Sequence, residues 1–424
     1  MTLLLGCVAD DITGATDMAL MLAGNGMRTV QVIGVPPAGR PLPDADAIVV
    51  ALKSRTIPAA QAVAQSLEAA TRLTGAGARQ LFFKYCSTFD STDDGNIGPV
   101  AEALLDHLRA DFAIACPAFP ENRRTVYKGH LFVGDVPISE SSMRDHPLTP
   151  MRDANLVRVL GRQCGGASGV GLVPWETVIQ GPEAMRAAFA ELRGAGRRLA
   201  IVDALTDDDL RDIGRACDGV ALVTGGSGVG MGLPENYRAA GILPERAGAE
   251  PLPRLDGGAA VLSGSCSAAT NRQVAVMAAK HPSLRLDPLA LAAGTQSAAD
   301  VLAWAAPLLA DGPVLVYSTA EPESVGNAQA QIGKEKAAAT VEAAFAAIAE
   351  GLVEAGVRKL IVAGGETAGA VVAVLGVDTL RIGPEIDPGV PWTIGVGEPE
   401  MCLALKSGNF GADDFFTKSF AMLP

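Results

Sequence analysis

Leu3-Leu4-Leu5-Gly6-Cys7-Val8-Ala9-Asp10-Asp11-Ile12-Thr13-Gly14-Ala15 is the stretch from which the fold can be read. A short apolar run ends on two adjacent aspartates, and a hydroxyl and a glycine follow just before a helical pattern begins. Leu3 to Val8 reads as a first β-strand and Ala15 to Ala23 as the helix behind it. The run has no basic residues ahead of it, so a strand is expected here and not a signal peptide.

The same unit recurs downstream. Thr29 to Ile33, Ala47 to Leu52, Leu81 to Lys84, Phe112 to Cys116, Leu199 to Val202 and Val220 to Val223 read as further strands. Ile57 to Leu73, Pro99 to Ala110 and Pro182 to Leu192 read as helices between them. A β-α-β order throughout predicts an α/β fold with largely parallel sheets. Ala247 to Gly258 breaks the rhythm with two prolines and several glycines, as an interdomain linker would. The alternation restarts with strand Ala259 to Leu262 and helix Ala268 to Ala279. Strands Val314 to Tyr317 and Leu360 to Val362 follow, with a long alanine-rich helix, Lys334 to Ala355, between them. The expected organisation is therefore a domain over 1–246, a linker over 247–258 and a second domain over 259–424, with an active site in the cleft between domains.

Composition agrees with two packed cores. The chain has 424 residues, too many for one ordinary core, and 49% of them are hydrophobic against 19% charged. A net charge of −13 argues against nucleic acid or an anionic membrane as partner. No run approaches the roughly 20 apolar residues that span a bilayer. Seven cysteines stand singly without a CxxC pair, which fits a reducing cytoplasm.

In parallel α/β sheets ligands gather beyond the carboxyl ends of the strands. Asp10 and Asp11 stand at the first such end. One aspartate serves as a helix cap; a second needs another reason, such as orienting substrate hydroxyls. Lys84-Tyr85-Cys86-Ser87-Thr88-Phe89-Asp90-Ser91-Thr92, with Gly95-Asn96-Ile97-Gly98-Pro99 behind it, follows the Leu81 to Lys84 strand. A lysine, hydroxyls and a carboxylate together suit a ligand with one carboxylate and several hydroxyls. The plainer reading is a polar loop whose Ser and Thr satisfy turns, but Lys84 interrupts an otherwise apolar strand. Arg55, Arg123-Arg124 and His130 occupy comparable positions and add positive charge.

The second half carries three glycine loops at strand ends. These are Ser263-Gly264-Ser265-Cys266-Ser267, Gly364-Gly365-Glu366-Thr367-Ala368-Gly369 and Lys406-Ser407-Gly408-Asn409-Phe410-Gly411. Backbone N–H groups at such ends meet phosphate. Gly333-Lys334-Glu335 lacks the spacing of a P-loop. Thr224 to Gly230 is glycine-rich without satisfying GxGxxG, and reads as a tight turn or part of the cleft. The four histidines show no zinc spacing.

Taken in order, these motifs resemble the four-carbon acid sugar kinase family. Ala9 to Ala15 resembles its opening ADDxTGA. Lys84 to Thr92 with Gly95 to Pro99 resembles the KYCSTFDST…GNIGP signature of its 3-oxo-tetronate kinase branch. The Gly-Ser-Cys-Ser, Gly-Gly-Glu-Thr-Ala and Lys-Ser-Gly-Asn-Phe-Gly segments resemble its ATP domain, so the likeness spans nearly the whole chain. By resemblance, Asp10, Asp11, Arg55, Lys84, Ser87 and Asp90 hold an acid sugar. Ser263, Ser265, Gly364, Gly365, Glu366, Thr367 and Gly408 hold ATP. Relatives acting on threonate or erythronate carry a shorter K-x-DST, to which either Ser87-Thr88 or Asp90-Ser91-Thr92 can be aligned.

The resemblance implies ATP- and Mg2+-dependent phosphorylation of the C4 hydroxyl of a 3-oxo-tetronate, with Asp11 orienting or deprotonating that hydroxyl and Asp10 and Asp90 as alternatives. Metal ligands are not identified, and a homodimer is compatible with the pattern. D-threonate or D-erythronate kinase is the nearest alternative function. Two other classes remain: a non-catalytic sugar-acid binding protein, and a thiol hydrolase using Cys86 and His130.

Overall fold

In the computed structural model, residues 3–146, 149–164, 169–246, 248, 250–319 and 331–424 are described. The chain divides into two compact units, Met1–Gly248 and Ala249–Pro424.

The first unit is built on eight parallel strands. They are β1 (Leu5–Ala9), β2 (Thr29–Ile33), β3 (Ala47–Ala51), β4 (Gln80–Lys84), β5 (Ala113–Cys116), β9 (Val170–Val173), β10 (Leu199–Val202) and β11 (Leu222–Gly225), in the spatial order β9-β10-β5-β11-β4-β1-β3-β2. β1, β3, β4, β5, β10 and β11 are buried along their whole length, which is why they read as continuous apolar runs and not as alternating ones. From β1 the chain lays β2 and β3 on one side and then returns to place β4 on the other. β1 and β4 are therefore neighbours at a topological switch point, with Ala9 opposite Lys84 and Ala9 opposite Ala51 of β3. That register brings the ends of β3, β1 and β4 together.

An unbroken β-α-β order does not hold. β2 and β3 are joined by residues 34–46 without a helix, because Pro36, Pro37, Pro41 and Pro43 prevent one. Between β5 and β9 lies a small antiparallel sheet of β6 (Arg124–Tyr127), β7 (His130–Val133) and β8 (Val136–Pro137). Its first turn, Lys128-Gly129, has φ of 52° and 72° and forms a tight two-residue hairpin. Strands this short carry too little periodicity to be recognised in the sequence.

The second unit holds β12 (Gly258–Ser263), β13 (Ser283–Arg285), β14 (Val314–Tyr317), β15 (Val357–Ala363), β16 (Thr379–Asp387), β17 (Val390–Gly395) and β18 (Met401–Lys406), ordered β13-β14-β12-β15-β18-β17-β16. β13, β14, β12, β15 and β18 run parallel, whereas β16, β17 and β18 pair antiparallel. β12 and β15 flank this unit's switch point. The helix Lys334–Glu354 precedes β15, and Ala268–Ala278 and Gly365–Val374 start directly after β12 and β15. The Glu250 N–H donates to the Ile382 carbonyl, and Leu252 and Leu255 pack on the second core, so residues 250–255 belong to this unit. Residues 247 and 249 of the expected linker lie outside the described residues. Among the described residues no helix is long and apolar enough to cross a membrane.

Asp203 ties the hairpin to the large sheet. Its fully buried carboxylate accepts from the N–H groups of Lys128, Gly129 and Trp175 at 2.7, 2.8 and 3.0 Å. Asp203→Ala strands three donors, and at about 1 kcal/mol or more for each the variant should lose about 3 kcal/mol in urea unfolding. Unchanged stability would show that these groups have other partners.

Candidate functional site

The ends of β3, β1 and β4 deliver the first constellation. Asp10 and Asp11 leave β1, Arg55 leaves the loop after β3, and Lys84 is the last residue of β4. The Arg55 guanidinium grips Asp10 in a bidentate pair, Nε to Oδ2 at 2.9 Å and Nη2 to Oδ1 at 2.7 Å, and also donates to Asp11 Oδ1 at 2.6 Å. Its Nη1 points toward Asp90, 3.6 Å away, and makes no hydrogen bond among the described residues. Burial opposes the Arg55 charge, but Asp10 and Asp11 outweigh it and hold the group protonated, well above its ordinary range.

Asp11 stands at the N-cap of the helix Ile12–Gly24, yet its side chain makes no capping hydrogen bond. It is committed to Arg55 and to the Thr13 hydroxyl, which donates to its Oδ2 at 2.9 Å. Burial alone would raise its pKa; the charges of Arg55 and Lys84 and the Thr13 hydroxyl prevail and hold it at about 2. Asp11 is thus a carboxylate at neutral pH, a good acceptor for a hydroxyl and a weak base.

Lys84 is 3% exposed. Among the described residues its ammonium makes no hydrogen bond and no ion pair within 4 Å, although Asp10 and Asp11 are near enough to feel its charge. Gly14 explains how the group fits: a methyl built there would lie 2.4 Å from Lys84 Nζ and 2.2 Å from Asp11 Oδ1. The glycine of the Asp-Asp-Ile-Thr-Gly turn therefore leaves room for both charged ends.

The loop after β4 is held from several sides. Phe89 takes a φ of 50°, a conformation that costs a bulky residue about 1–3 kcal/mol. It is kept there by full burial and an edge-on contact with Tyr85 at 5.3 Å, while the Tyr85 hydroxyl meets Thr224 at 3.1 Å. Thr88 donates to Asp90 at 2.6 Å and contacts the Cys86 sulfur at 2.8 Å. Ser87 is half-buried, with a hydroxyl that makes no hydrogen bond among the described residues. Burial, then the Asp90 charge, pushes the Cys86 thiol up to about 11, so it is not a thiolate nucleophile at neutral pH. His130 bonds to the Lys128 carbonyl at 2.9 Å and to Asn155 at 3.4 Å, and not to Cys86. Arg123 pairs with Asp135 on the exposed hairpin. The thiol-hydrolase reading has no dyad here.

Two positioning residues escaped the sequence reading. Asn96 donates to the carbonyls of Ser54, Arg55 and Ile57 at 2.7, 3.1 and 3.0 Å, fixing the Arg55 loop. Gln163 accepts from the Gly98 N–H at 2.8 Å and donates to Ser91 Oγ and the Thr92 carbonyl at 2.6 and 2.7 Å. Asn96 lies inside a quoted motif, so a signal existed; Gln163 sits in an ordinary amphipathic helix and gave none.

The second constellation surrounds the ends of β12, β15 and β18. The N–H groups of Gly264 and Ser265 both donate to the Ala363 carbonyl, at 2.9 and 3.1 Å. A methyl on Gly264 would meet Thr367 Oγ1 at 2.1 Å, and one on Gly408 would meet Ser265 Oγ at 2.3 Å, so the three loops are packed through their glycines. Gly364 has a φ of 121°, whereas a methyl on the exposed Gly365 would meet nothing within 4 Å among the described residues. The Gly365–Val374 helix has no side-chain cap, and a helix N-terminus of this kind suits an anion. Ser263 is buried and bonded to Thr319 at 2.7 Å, which makes it a support of the loop; Glu366 is exposed.

Known proteins divide this chain in the same way. Residues 5–233 match the model of a sugar-binding N-terminal domain and residues 260–416 that of a nucleotide-binding C-terminal domain. A Burkholderia multivorans 3-oxo-tetronate kinase is 60% identical over 420 residues, covering 99% of this chain and 97% of its own. The chain belongs to the four-carbon acid sugar kinase family. A Cupriavidus necator 3-oxo-tetronate kinase is 56% identical over 424 residues, covering 99% of this chain and 97% of the relative. Among solved structures, a Salmonella typhimurium LT2 protein described as a tRNA synthase superposes with a TM-score of 0.87 at 41% identity, each chain covered in full. A Haemophilus influenzae protein gives a TM-score of 0.80 at 43% identity, covering 99% of this chain and 100% of its own. The full-length kinase relatives and the sugar-binding and nucleotide-binding domain models carry the family assignment, and this family member is a kinase.

The Gly14 geometry gives a direct check on the acid-sugar site. Gly14→Ala should keep the fold, since alanine favours the helix by up to about 1 kcal/mol. It should push Asp11 and Lys84 apart and weaken acid binding at least about tenfold, a loss of about 1.4 kcal/mol. Calorimetric titration with the acid reads this, and undiminished affinity would remove the Asp11–Lys84 pair from the site.

Proposed function

We propose that this kinase transfers the γ-phosphoryl group of ATP to the C4 hydroxyl of 3-oxo-tetronate, giving the 4-phosphate. The observation that carries the reading is Lys84. A buried ammonium is costly unless it meets an anion, and this one has no bonded partner among the described residues. A sugar acid brings a carboxylate for Lys84 and for the free N–H groups of Arg55 Nη1. Its hydroxyls find acceptors in Asp11 and Asp90 and a further partner in Ser87. The relatives' names select the 3-oxo acid, and the longer Lys84 to Thr92 signature favours it over threonate or erythronate.

Asp11 accepts a hydrogen bond from the C4 hydroxyl and fixes its lone pair on the γ-phosphorus. With its pKa near 2 it does little proton removal early in the reaction. Phosphoryl transfer tolerates that, because positioning and charge neutralisation dominate. In the second unit the Gly365 N–H, the Ser265 hydroxyl and the Gly408 loop receive the phosphates. Mg2+ would come with the nucleotide, held mainly by phosphate oxygens, and would neutralise charge on the transferring group. Transfer requires that acid and ATP meet during turnover. Seven unpaired cysteines support a cytoplasmic setting.

The test follows ADP release with 3-oxo-tetronate, D-threonate and D-erythronate as acceptors. The 3-oxo acid should give the highest kcat/KM, and a higher value for either hydroxy acid would overturn the substrate assignment. Gly365→Val should fold normally, since a Cβ there meets nothing within 4 Å among the described residues, yet raise the KM for ATP. Unchanged ATP kinetics would take this turn out of the nucleotide site.

A further inference from the structure

Lys406 ends β18 with 0% of its surface exposed, and its amine points back under the loop that follows. It donates to Thr270 Oγ1 at 3.1 Å, the Ser407 carbonyl at 2.9 Å and the Gly408 carbonyl at 3.1 Å. The Gly408 carbonyl also receives the hydroxyls of Ser267 at 2.5 Å and Thr270 at 2.8 Å. Three donors thus draw one carbonyl inward. The Gly408–Asn409 peptide is trans, so the Asn409 N–H points the opposite way, outward from Lys406. That N–H makes no hydrogen bond among the described residues. Polarising the carbonyl strengthens the donor across the same peptide.

We propose that Lys406 is the positioning residue of the nucleotide loop, presenting the Asn409 N–H to phosphate, and that ATP binding is coupled to uptake of a proton by its amine. The proposal rests on the ATP reading of this unit. The geometry needs the ammonium form. Two of its three partners are carbonyls, which only accept, and the third, the Thr270 hydroxyl, is already spent on Gly408. Three N–H bonds exist only on the ammonium; a neutral amine keeps two and must take the Thr270 proton as acceptor, releasing one bond from the Gly408 carbonyl. Burial lowers the pKa of Lys406 to about 7, and only the more weakly acting Asp387 opposes this, itself paired with Lys418. Phosphate charge over the loop favours the ammonium and with it the inward carbonyl.

The experiment is calorimetric titration of the full chain with Mg-ATP at pH 8 in buffers of different ionisation enthalpy. Wild type should take up a fraction of a proton per nucleotide, and its ATP affinity should fall as pH rises from 7 to 9, by at most about tenfold per unit for one linked proton. Lys406→Met should bind ATP more weakly, with no Lys406-linked uptake and a flat pH profile over that window. A merely structural role would lower affinity without changing the proton count. ATP binding to wild type without proton uptake overturns this inference alone, and needs no variant to be read. Absence of ATP binding overturns the nucleotide reading and the inference with it.

Discussion

A positive charge buried at the carboxyl end of β4 governs the first unit. Lys84 continues a strand whose other residues are buried, and its neighbours across the register are Ala9 and Gly225, neither of which has a side chain that can bond to an ammonium. The surrounding sequence is arranged so that, among the described residues, this charge survives unpaired by a close oxygen. Gly14 leaves the space, Arg55 draws Asp10 and the Oδ1 of Asp11 to itself, and Thr13 engages the other oxygen of Asp11. If Arg55 were absent, both aspartates would be free to close on Lys84 and neutralise it. The pair of carboxylates and the pair of cations form one system in which each group decides what its neighbour can still bind.

The second unit solves a similar problem by different means. Its buried lysine is fully bonded, and all three partners belong to or hold the loop that meets the nucleotide in our reading. Lys84 is available for a ligand; Lys406 acts through the backbone. The contrast follows from the neighbourhood: β18 ends against a helix start rich in hydroxyls, Ser267 and Thr270, whereas β4 ends against small residues. Both units use a switch point in a parallel sheet, where chain reversal leaves strand ends open and side chains from separate segments converge.

Much of this architecture was legible in the sequence, and the exceptions have physical causes. Strands such as β10 and β14 stand where the apolar runs place them, because near-complete burial leaves no polar interruption. Asp10, Asp11, Arg55 and Lys84 are brought together because they follow consecutive strand ends, and strand ends are visible from sequence alone. Ser263 and Glu366 share the loops of the second unit, but one is turned to Thr319 and the other to the exterior, a distinction that depends on side-chain direction. Gln163 was invisible because its partners lie about 70 residues away in sequence. The antiparallel hairpin was missed because its strands are too short to carry periodicity, and β16 because Pro384 and bulges break its pattern.

The most direct measurement of the account is acid binding by Lys84→Met, which keeps the stem and removes the charge. Truncating one member of a desolvated charge pair costs about 2–5 kcal/mol, or roughly 30-fold to several-thousand-fold in affinity. The account predicts that the KM for 3-oxo-tetronate rises within that range, while the KM for ATP and the activity toward an uncharged four-carbon sugar change little. A variant that binds the acid as wild type does, or loses ATP instead, would contradict it.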